Sequence, residues 1–572
     1  MRTDRPNRYH AAMEVRNLVP GRAMFLQVVL MVAISAVGAR ASAPPLVQTA
    51  DGMIGGSARN GVEAFKGIPF AAPPLGKLRW RAPEPVKPWQ GVLSATRYRA
   101  ACMQRGMYPP DAPDEPVSEN CLYLNIWTPV STSAAPLPVM VWIPGGGLTN
   151  GSGAVPLYAG NRLARRGVIV VTINYRLGVF GFLALPGLTA ESAHHDSGDY
   201  GLLDQIAALT WVHRNIAAFG GDPDNVTVFG QSSGSIAISA LTASPLARGL
   251  FQKAIGESGG LFEPMEVSAG LRLAGAERQG ERFLERAGSG SLAALREIPA
   301  ARLLRVPFSP HIILDGYVLP RAPWETYAQG KANTVSLLLG WNAVEGALFL
   351  AHTSLTPANY YTVLERSFPA PLVRWLAPSP GRTDASARAA AVAFNTDMRF
   401  RWDMWQWARL ASAKDGDRVY LYEFTHSPPY SAGSPYYSLG ATHGTELQYV
   451  FDRPDAPGEV WSPADRRLAG VIPAYWTAFA RTGNPNGPGL PHWPRFGVGR
   501  QRLLRIGTVV QSETLADVTP LRRISRAYRL VRFVLADWVL LATAAAAAIV
   551  AVVTVVTKRK RGRYANRRGG EY

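Results

Sequence analysis

Residues 225–234 read NVTVFGQSSG, and their pattern indicates how the chain folds around Ser232. The run from Asn225 to Phe229 is rich in β-branched and aromatic residues, which is typical of a short strand. The apolar run 235–241 is typical of a buried helix. Gly230 and Gly234 flank Ser232 and leave room for a sharp turn between the two elements. A strand, a sharp turn and a helix in this order predict an α/β protein that holds Ser232 exposed at the edge of a sheet.

The same Gly-x-Ser-x-Gly pattern occurs a second time, centred on Ser258. A strand pattern precedes Ser258, but Gly259, Gly260 and Pro264 interrupt any helix after it. A nucleophilic serine of this kind needs the helix as well as the strand, because the turn between them holds its Oγ exposed. The context therefore favours Ser232 over Ser258 as the candidate nucleophile.

A glycine run elsewhere in the chain could supply backbone N–H groups that work together with that serine. The apolar strand pattern Val139–Ile143 leads into Pro144-Gly145-Gly146-Gly147. Successive glycines allow backbone N–H groups to turn toward one point, as acyl transfer requires for its developing oxyanion. We expect the N–H groups of Gly146, Gly147 and Ser233 to form an oxyanion hole, the alternative being a glycine-rich turn that binds nothing.

An acid and a base are expected later in the chain. Glu345 follows a buried strand pattern over residues 335–340, although a lone Glu on a loop is usually a solvated surface residue. The strand pattern Val419–Phe424 is followed by two candidate bases, His426 and His443. Spacing alone does not choose between these two histidines.

Further motifs occur in a fixed order along the chain: Phe65–Pro69, Ser118–Asn125, Gly201–Gln205 and Phe219–Pro223. With the glycine run and the Ser232 motif, they make the chain resemble the type B carboxylesterases, the cholinesterase-like branch of the α/β-hydrolases, from about Val47 to about Phe496. The resemblance implies an α/β-hydrolase fold with a central, mostly parallel sheet flanked by helices. It also implies a serine carboxylesterase that acts on small-molecule esters through an acyl-enzyme.

The resemblance implies roles for individual residues. The His-Gly-x-Glu segment of the family matches His443–Glu446, so His443 is expected to be the base rather than His426. Glu345 is expected to orient it, and the glycine run resembles the oxyanion loop of the family. The family's first disulfide matches Cys102 and Cys121, and two isolated cysteines in an exported protein are most simply one disulfide.

The chain departs from the family pattern at three places. Gln231 stands before the nucleophile where a Glu is usual, which removes a charge near the site. Val344 replaces a frequent acidic neighbour of the triad Glu. The loop between the two cysteines contains Tyr108 and no Trp, whereas the cholinesterases use a Trp there to hold choline. Specificity for choline esters is therefore not expected.

The two ends of the chain predict export and a membrane anchor. Within residues 1–41, five arginines precede an apolar run that is followed by an Ala39-Arg40-Ala41 cleavage pattern, which predicts a signal peptide or, alternatively, an uncleaved anchor. The esterase domain is predicted over 42–519, followed by a basic juxtamembrane segment at 520–537. The uncharged segment 538–557 is long enough for a transmembrane helix, and 558–572 is a basic tail. We expect a single-pass membrane protein whose catalytic domain is extracytoplasmic, either periplasmic or extracellular.

Charge and composition exclude other classes of function. The net charge of +19 is concentrated in residues 1–22, 520–536 and 558–572, which carry +3, +5 and +6. The remaining body is nearly balanced, which argues against nucleic-acid binding. No cluster of residues at metal-ligand spacing suggests a metal, and no cofactor is expected. An adhesion ectodomain on the same scaffold is the alternative function, disfavoured because Ser232, Glu345 and His443 are all present.

Overall fold

A computed structural model of the protein describes residues 44–106, 116–130, 135–413, 418–453, 460–536, 543 and 546–557. The predicted signal peptide at 1–41, the basic tail at 558–572 and Tyr108 lie outside these residues. The predicted span at 538–557 lies partly outside them, at 538–542 and 544–545. Over the residues described, none of the helices combines the length and apolar character needed to cross a membrane.

The strands alternate with helices along the chain, as an α/β protein requires. In chain order the strands are β1 (Leu46–Thr49), β2 (Gly52–Gly55), β3 (Ser57–Arg59), β4 (Val62–Pro69), β5 (Val92–Ser94), β6 (Ala101–Cys102), β7 (Val117–Ser118), β8 (Tyr123–Pro129), β9 (Leu137–Ile143), β10 (Ile169–Ile173), β11 (Gly221–Gln231), β12 (Lys253–Glu257), β13 (Ser336–Asn342), β14 (Val419–Phe424), β15 (Arg502–Ile506) and β16 (Val510–Thr514).

The helices connect and cover these strands. They are α1 (Asn161–Ala164), α2 (Gly178–Phe182), α3 (Pro186–Glu191), α4 (Tyr200–Asn215), α5 (Ser233–Ala243), α6 (Leu273–Arg286), α7 (Leu292–Glu297), α8 (Ala300–Leu303), α9 (Pro323–Ala328), α10 (Gly346–Phe349), α11 (Tyr360–Glu365), α12 (Ala370–Leu376), α13 (Asp384–Thr396), α14 (Trp402–Ser412), α15 (Leu447–Val450), α16 (Pro463–Thr482) and α17 (Thr519–Ala536). A π-helical turn, Asp397–Arg401, joins α13 to α14.

In the part of the chain that the structure describes, the main sheet has 11 strands, in the order β16-β15-β14-β13-β12-β11-β9-β10-β8-β4-β3. All neighbours from β15 to β10 pair in parallel. The strands beyond them at both edges pair antiparallel. The predicted central, mostly parallel sheet is therefore confirmed, and the antiparallel edges are an addition that the sequence did not indicate.

Two apolar layers enclose the sheet. Along β9, Val141 and Ile143 belong to one buried cluster, whereas Met140 and Trp142 belong to the other. Successive strand residues point to opposite faces, so a continuous apolar run is what a strand buried on both faces requires. Helices cover both layers, with α4 and α5 contributing to the first and α16 to the second.

The strand order creates a crevice at the carboxyl edge of the sheet. Strand β9 lies between β11 and β10. The chain therefore continues from β9 to β10 on one side and from β11 to β12 on the other side. In open α/β sheets, ligands bind where the strand order reverses in this way, because the loops after the two strands diverge. The glycine run follows β9 and Ser232 follows β11, so both predicted features lie at this crevice.

The two cysteines form a disulfide between Cys102 and Cys121, as predicted. Cys102 ends β6, which pairs with β7 in a separate two-stranded sheet. Within the segment predicted as a juxtamembrane link, residues up to 536 belong to α17, whose Leu521, Ile524 and Ala527 are buried against the body.

Candidate active site

Ser232 lies at the turn between β11 and α5. Its backbone has φ 57° and ψ −127°, a conformation that costs a non-glycine residue free energy. Its N–H donates a hydrogen bond to the Glu257 carbonyl oxygen at 2.8 Å, which anchors the turn to the next strand. The predicted strand, turn and helix are thus present, and the Ser232 side chain is half-buried rather than enclosed.

Three glycines make this turn sterically possible. A Cβ on Gly234 would collide with the carbonyl oxygen of Ile143 at the end of β9. A Cβ on Gly230 would lie 2.8 Å from that same oxygen. A Cβ on Gly145 would lie 3.2 Å from the Cβ of Ser232. The glycine run and the serine turn therefore approach each other more closely than bulkier residues would allow.

The glycine loop is held in a tight turn. Gly146 and Gly147 have φ values of 119° and 63°, which favour glycine. The Gly146 carbonyl oxygen accepts from the N–H groups of Thr149 and Asn150 at 3.1 and 3.2 Å. Among the described residues, the N–H groups of Gly146, Gly147 and Ser233 donate to no other protein group. The three predicted oxyanion donors are therefore not consumed within the protein.

His443 and Glu345 are in direct contact. His443 Nδ1 lies 2.7 Å from Glu345 Oε2, and the other carboxylate oxygen, Oε1, accepts from the Asn342 N–H at 2.7 Å. Glu345 is fully buried, which excludes the alternative that it is a solvated loop carboxylate. A carboxylate can only accept, so the proton between the two residues belongs on Nδ1, which leaves His443 Nε2 as an acceptor.

The competing histidine has a different partner. His426 Nε2 lies 2.6 Å from Asp465 Oδ1, in the capping box of α16. Asp465 also accepts a hydrogen bond from the Tyr449 hydroxyl at 2.7 Å. Of the two histidines, only His443 contacts Glu345, so the geometry agrees with the choice that the family resemblance implied.

Two groups lie against the His443 ring: Phe400, which the sequence did not indicate, and Gln231, which the sequence placed near the site without specifying this contact. The Phe400 ring stacks on it with centroids 4.4 Å apart, carried there by the π-helical turn. The Gln231 Nε2 atom lies 3.4 Å from Nδ1 and 3.3 Å from Nε2 of the ring. These nearly equal distances put the amide over the ring face rather than in its plane. Because Gln231 precedes Ser232, this contact also brings the serine turn beside the histidine.

Phe349 lines the approach to this site. Its ring lies 5.6 Å from that of His443 and is 43% exposed, which is high for a Phe that packs against other aromatic rings. Phe349 also contacts Phe400, with ring centroids 5.7 Å apart. An exposed aromatic surface beside the imidazole offers apolar contact to the organic part of a bound molecule.

Two further carboxyl groups are buried behind the His443–Glu345 pair. Burial raises the pKa of Glu257 to about 8, although the Trp476 indole N–H donates to its Oε1 at 2.7 Å. Burial also raises the pKa of Glu446 well above its usual range, and Glu345 and Glu257 add to the effect. The raised pKa values favour the neutral form of both carboxyl groups, which limits the negative charge around the histidine.

Ser258 lies at the turn after the strand next to β11. It follows β12, no helix begins directly after it, and its side chain is fully buried. Its Oγ has no hydrogen-bond partner in the described part of the chain. Within the same residues, no group of three or more His, Cys, Asp or Glu side chains is arranged to hold a metal ion.

Comparisons with known proteins show which family the chain matches. The Carboxylesterase family profile matches residues 43–520. The chain is 38% identical over 497 residues to the fumonisin B1 esterase of Sphingopyxis macrogoltabida, covering 85% of this chain and 90% of that protein. It is also 38% identical over 481 residues to the para-nitrobenzyl esterase of Bacillus subtilis (strain 168), covering 79% and 92%.

A solved structure of PNB esterase matches with a TM-score of 0.72 at 34% identity, covering 84% of this chain and 99% of that one. At this identity and coverage the fold is that of the α/β-hydrolases, as the resemblance implied. With the family profile over most of its length, the chain belongs to the carboxylesterase family and is a carboxylic ester hydrolase.

Proposed function

We propose that the chain hydrolyses small-molecule carboxylic esters with Ser232 as nucleophile, His443 as general base and acid, and Glu345 as the carboxylate that orients the histidine. The 2.7 Å contact between His443 Nδ1 and Glu345 Oε2 carries this proposal. That contact leaves Nε2 free to take a proton, and Gln231 on the ring face brings the neighbouring serine turn to the same place.

The proposed cycle has two halves. His443 Nε2 takes the proton of Ser232 while Oγ bonds to the ester carbonyl carbon, and the carbonyl electron pair moves to the oxygen. When the tetrahedral intermediate collapses, the ester C–O bond breaks and His443 protonates the departing alcohol. Water then attacks the acyl-enzyme, His443 takes its proton, and the acid leaves as Ser232 recovers its hydrogen.

The N–H groups of Gly146, Gly147 and Ser233 are proposed to bind the oxyanion in both halves. The positive φ angles of the two glycines support this role, and so does the lack of other acceptors for these three donors among the described residues. Each donor of this kind contributes about 3 kcal/mol to transition-state stabilisation, because it is already oriented before charge develops.

The substrates are proposed to carry an apolar or aromatic part. Phe349 offers an exposed ring next to His443. The Gln231 side chain against the imidazole is a neutral amide rather than a charged carboxylate. The names of two relatives, fumonisin B1 esterase and para-nitrobenzyl esterase, refer to quite different esters. We therefore propose small organic esters as the class.

Membrane attachment remains part of the proposal. The uncharged segment 538–557, followed by Lys558-Arg559-Lys560-Arg561, supports a single C-terminal span, and residues 1–41 support export. The catalytic domain would then be extracytoplasmic, which agrees with the disulfide between Cys102 and Cys121. Release of the full chain from membranes by alkaline carbonate, without detergent, would refute the span.

Covalent labelling tests the catalytic proposal. A fluorophosphonate probe is expected to label the full chain at one serine, and peptide mass spectrometry should identify Ser232. Pre-treatment with the probe should abolish hydrolysis of p-nitrophenyl esters to the same extent as it labels the protein. Labelling at another serine, or hydrolysis that persists after complete labelling, would refute the assignment.

A further inference from the structure

Four arginines surround a concavity where α17 packs against α14. Arg522, Arg526 and Arg529 project from α17, and Arg409 projects from α14. The three residues of α17 are spaced four and three apart, so they lie on one face of the helix. The concavity has a volume of about 300 Å³, and Trp405 and Gln501 also line it.

The walls of this concavity are held by specific contacts. The Trp402 indole N–H donates to the Ser525 hydroxyl at 2.9 Å, and the Trp402 and Tyr528 rings meet edge to face at 4.8 Å. The Trp405 indole N–H donates to Gln501 Oε1 at 2.9 Å. These contacts hold α17 against the body and fix the position of the arginine-bearing face.

No carboxylate in the described ranges neutralises these four arginines. None of them forms an ion pair there, whereas Arg532 on the same helix pairs with Glu266 at 2.7 Å. The Arg409 guanidinium lies over the Trp405 ring at 4.5 Å. Burial lowers the pKa of Arg409, and the positive charges of Arg522 and Arg529 lower it further. The cluster therefore has repulsive energy that a bound anion would relieve.

The same face of α17 becomes apolar toward its end. Phe533 comes four residues after Arg529 and Leu530 four residues after Arg526, so each continues the arginine face by one turn. Phe533 is 55% exposed and Leu530 is 50% exposed. Basic side chains beside exposed aromatic and aliphatic ones are typical of a helix that lies at a membrane surface.

We propose that the arginine concavity formed by Arg409, Arg522, Arg526 and Arg529 binds the phosphate group of an anionic membrane lipid. Guanidinium groups bind phosphate oxygens with paired, charge-assisted hydrogen bonds. A phosphate offers more oxygens and more charge than a carboxylate, so it suits a concavity with several guanidinium groups better. The exposed Leu530 and Phe533 favour a lipid over free phosphate, because they offer contact to the acyl region next to the headgroup. This site is independent of the ester chemistry.

The test uses the full chain in micelles of an uncharged detergent. Phosphatidylglycerol, phosphatidylcholine and inorganic phosphate are added in separate titrations, with binding measured by tryptophan fluorescence and by the unfolding temperature. Phosphatidylglycerol is expected to bind saturably, phosphatidylcholine to give no response, and inorganic phosphate to bind more weakly and to compete.

A pair of double variants isolates the concavity from the overall charge. Arg526→Gln with Arg529→Gln removes two of the four charges and is expected to weaken phosphatidylglycerol binding about thirtyfold, since each basic group contributes about a factor of five. Arg278→Gln with Arg282→Gln removes two exposed charges from α6 and should leave binding unchanged. Both variants should keep wild-type p-nitrophenyl ester turnover, which shows that they are folded.

Three results would overturn the proposal. Equal loss of binding in both double variants would attribute the response to net charge rather than to the concavity. A phosphatidylglycerol response that survives the Arg526 and Arg529 changes would move the site elsewhere. Inorganic phosphate binding as tightly as phosphatidylglycerol, and lost only in the Arg526 and Arg529 variant, would refute the lipid and assign the site to free phosphate.

Discussion

The turns that contain Ser232 and Ser258, named here the two serine corners, lie side by side at the carboxyl edge of the main sheet. In register, Gln231 of β11 pairs with Glu257 of β12, so Ser232 and Ser258 follow the two strands at the same level. Both serines have positive φ, 57° and 55°. Each N–H donates to a carbonyl of the next strand, Ser232 to Glu257 at 2.8 Å and Ser258 to Gly340 at 2.9 Å.

The two corners lead into different elements of the chain. Ser232 begins α5 and is half-buried at the crevice, whereas Ser258 is succeeded by glycines and is fully buried. The same five-residue pattern, with a similar φ angle at the serine, thus produces one candidate nucleophile and one enclosed hydroxyl. The motif therefore supplies the turn, while the helix and the crevice determine whether the hydroxyl can reach a substrate.

Removing each of the two hydroxyl groups in turn has the largest expected effect. Ser232→Ala is expected to lower kcat for p-nitrophenyl esters by about 10⁴-fold or more, because no other group forms the acyl-enzyme. Ser258→Ala should keep fluorophosphonate labelling at Ser232. Steady-state kinetics and intact-protein mass spectrometry check both results. Labelling that is lost in Ser258→Ala but kept in Ser232→Ala would reverse the assignment of the two corners.

Replacing Glu345, the carboxylate that contacts His443, is expected to have the next largest effect on kcat. Glu345→Gln is expected to lower kcat by about 10³- to 10⁴-fold, because an amide would present an N–H to His443 and favour the wrong tautomer. Asp465→Asn is the matched control, since it alters the other histidine–carboxylate pair, at His426. Its kcat should stay near wild type. Similar losses of kcat in both variants would mean that the Glu345 contact has no special role.

The glycines two residues after each serine, Gly234 and Gly260, differ in how closely other atoms approach them. Gly234→Ala would bring a methyl group against the Ile143 carbonyl oxygen, whereas Gly260→Ala would meet the Asp403 Cβ at 3.0 Å, a milder contact. We expect Gly234→Ala to lower kcat by about 10²-fold, since a shift of about 1 Å at a reacting group has that effect. Gly260→Ala should change kcat much less. Equal kcat values for the two folded variants would contradict the close approach at β9.

The smallest expected effect is on the pH dependence of stability and concerns Glu257, the last residue of β12, which directly precedes Ser258. Burial raises its pKa to about 8 from the ordinary value of 4.5. The folded protein therefore keeps a proton that the unfolded chain loses between these two values, so this group stabilises the fold most below pH 4.5 and loses that effect as the pH rises through 8. The resulting slope in the free energy of unfolding approaches about 1.4 kcal/mol per pH unit within this window.

Urea unfolding at several pH values between these limits measures that slope. Wild type should become less stable as the pH rises, and Glu257→Gln should lose the part of this slope that Glu257 contributes, because a Gln does not titrate. An unchanged slope in the variant would mean that Glu257 has an ordinary pKa and that the Trp476 contact holds an ionised carboxylate.

Much of the site follows from local sequence patterns. The strand, turn and helix around Ser232, the glycine loop after β9 and the position of Glu345 just past β13 were all predicted, because each depends on neighbours within a few residues. The choice of His443 over His426 came from the family resemblance, since loop spacing carries no distance information. The contacts of Phe400 and Gln231 with the imidazole ring were not predicted, although Gln231 itself was expected near the site. Their contacts with His443 span 43 and 212 residues of sequence.

The strand, turn and helix around Ser232 follow from the amino-acid sequence alone, since their preferences are properties of short segments. The ordered motifs of the sequence carried the family resemblance, and that resemblance implied the mostly parallel sheet. Only the tertiary structure decided the antiparallel sheet edges, the burial of Glu345, the stacking of Phe400 and the gathering of four arginines at α14 and α17. These features depend on strand register and helix packing, which bring together side chains from segments distant in the chain. Local preference does not specify such distances, because they result from the sum of many contacts across the folded molecule.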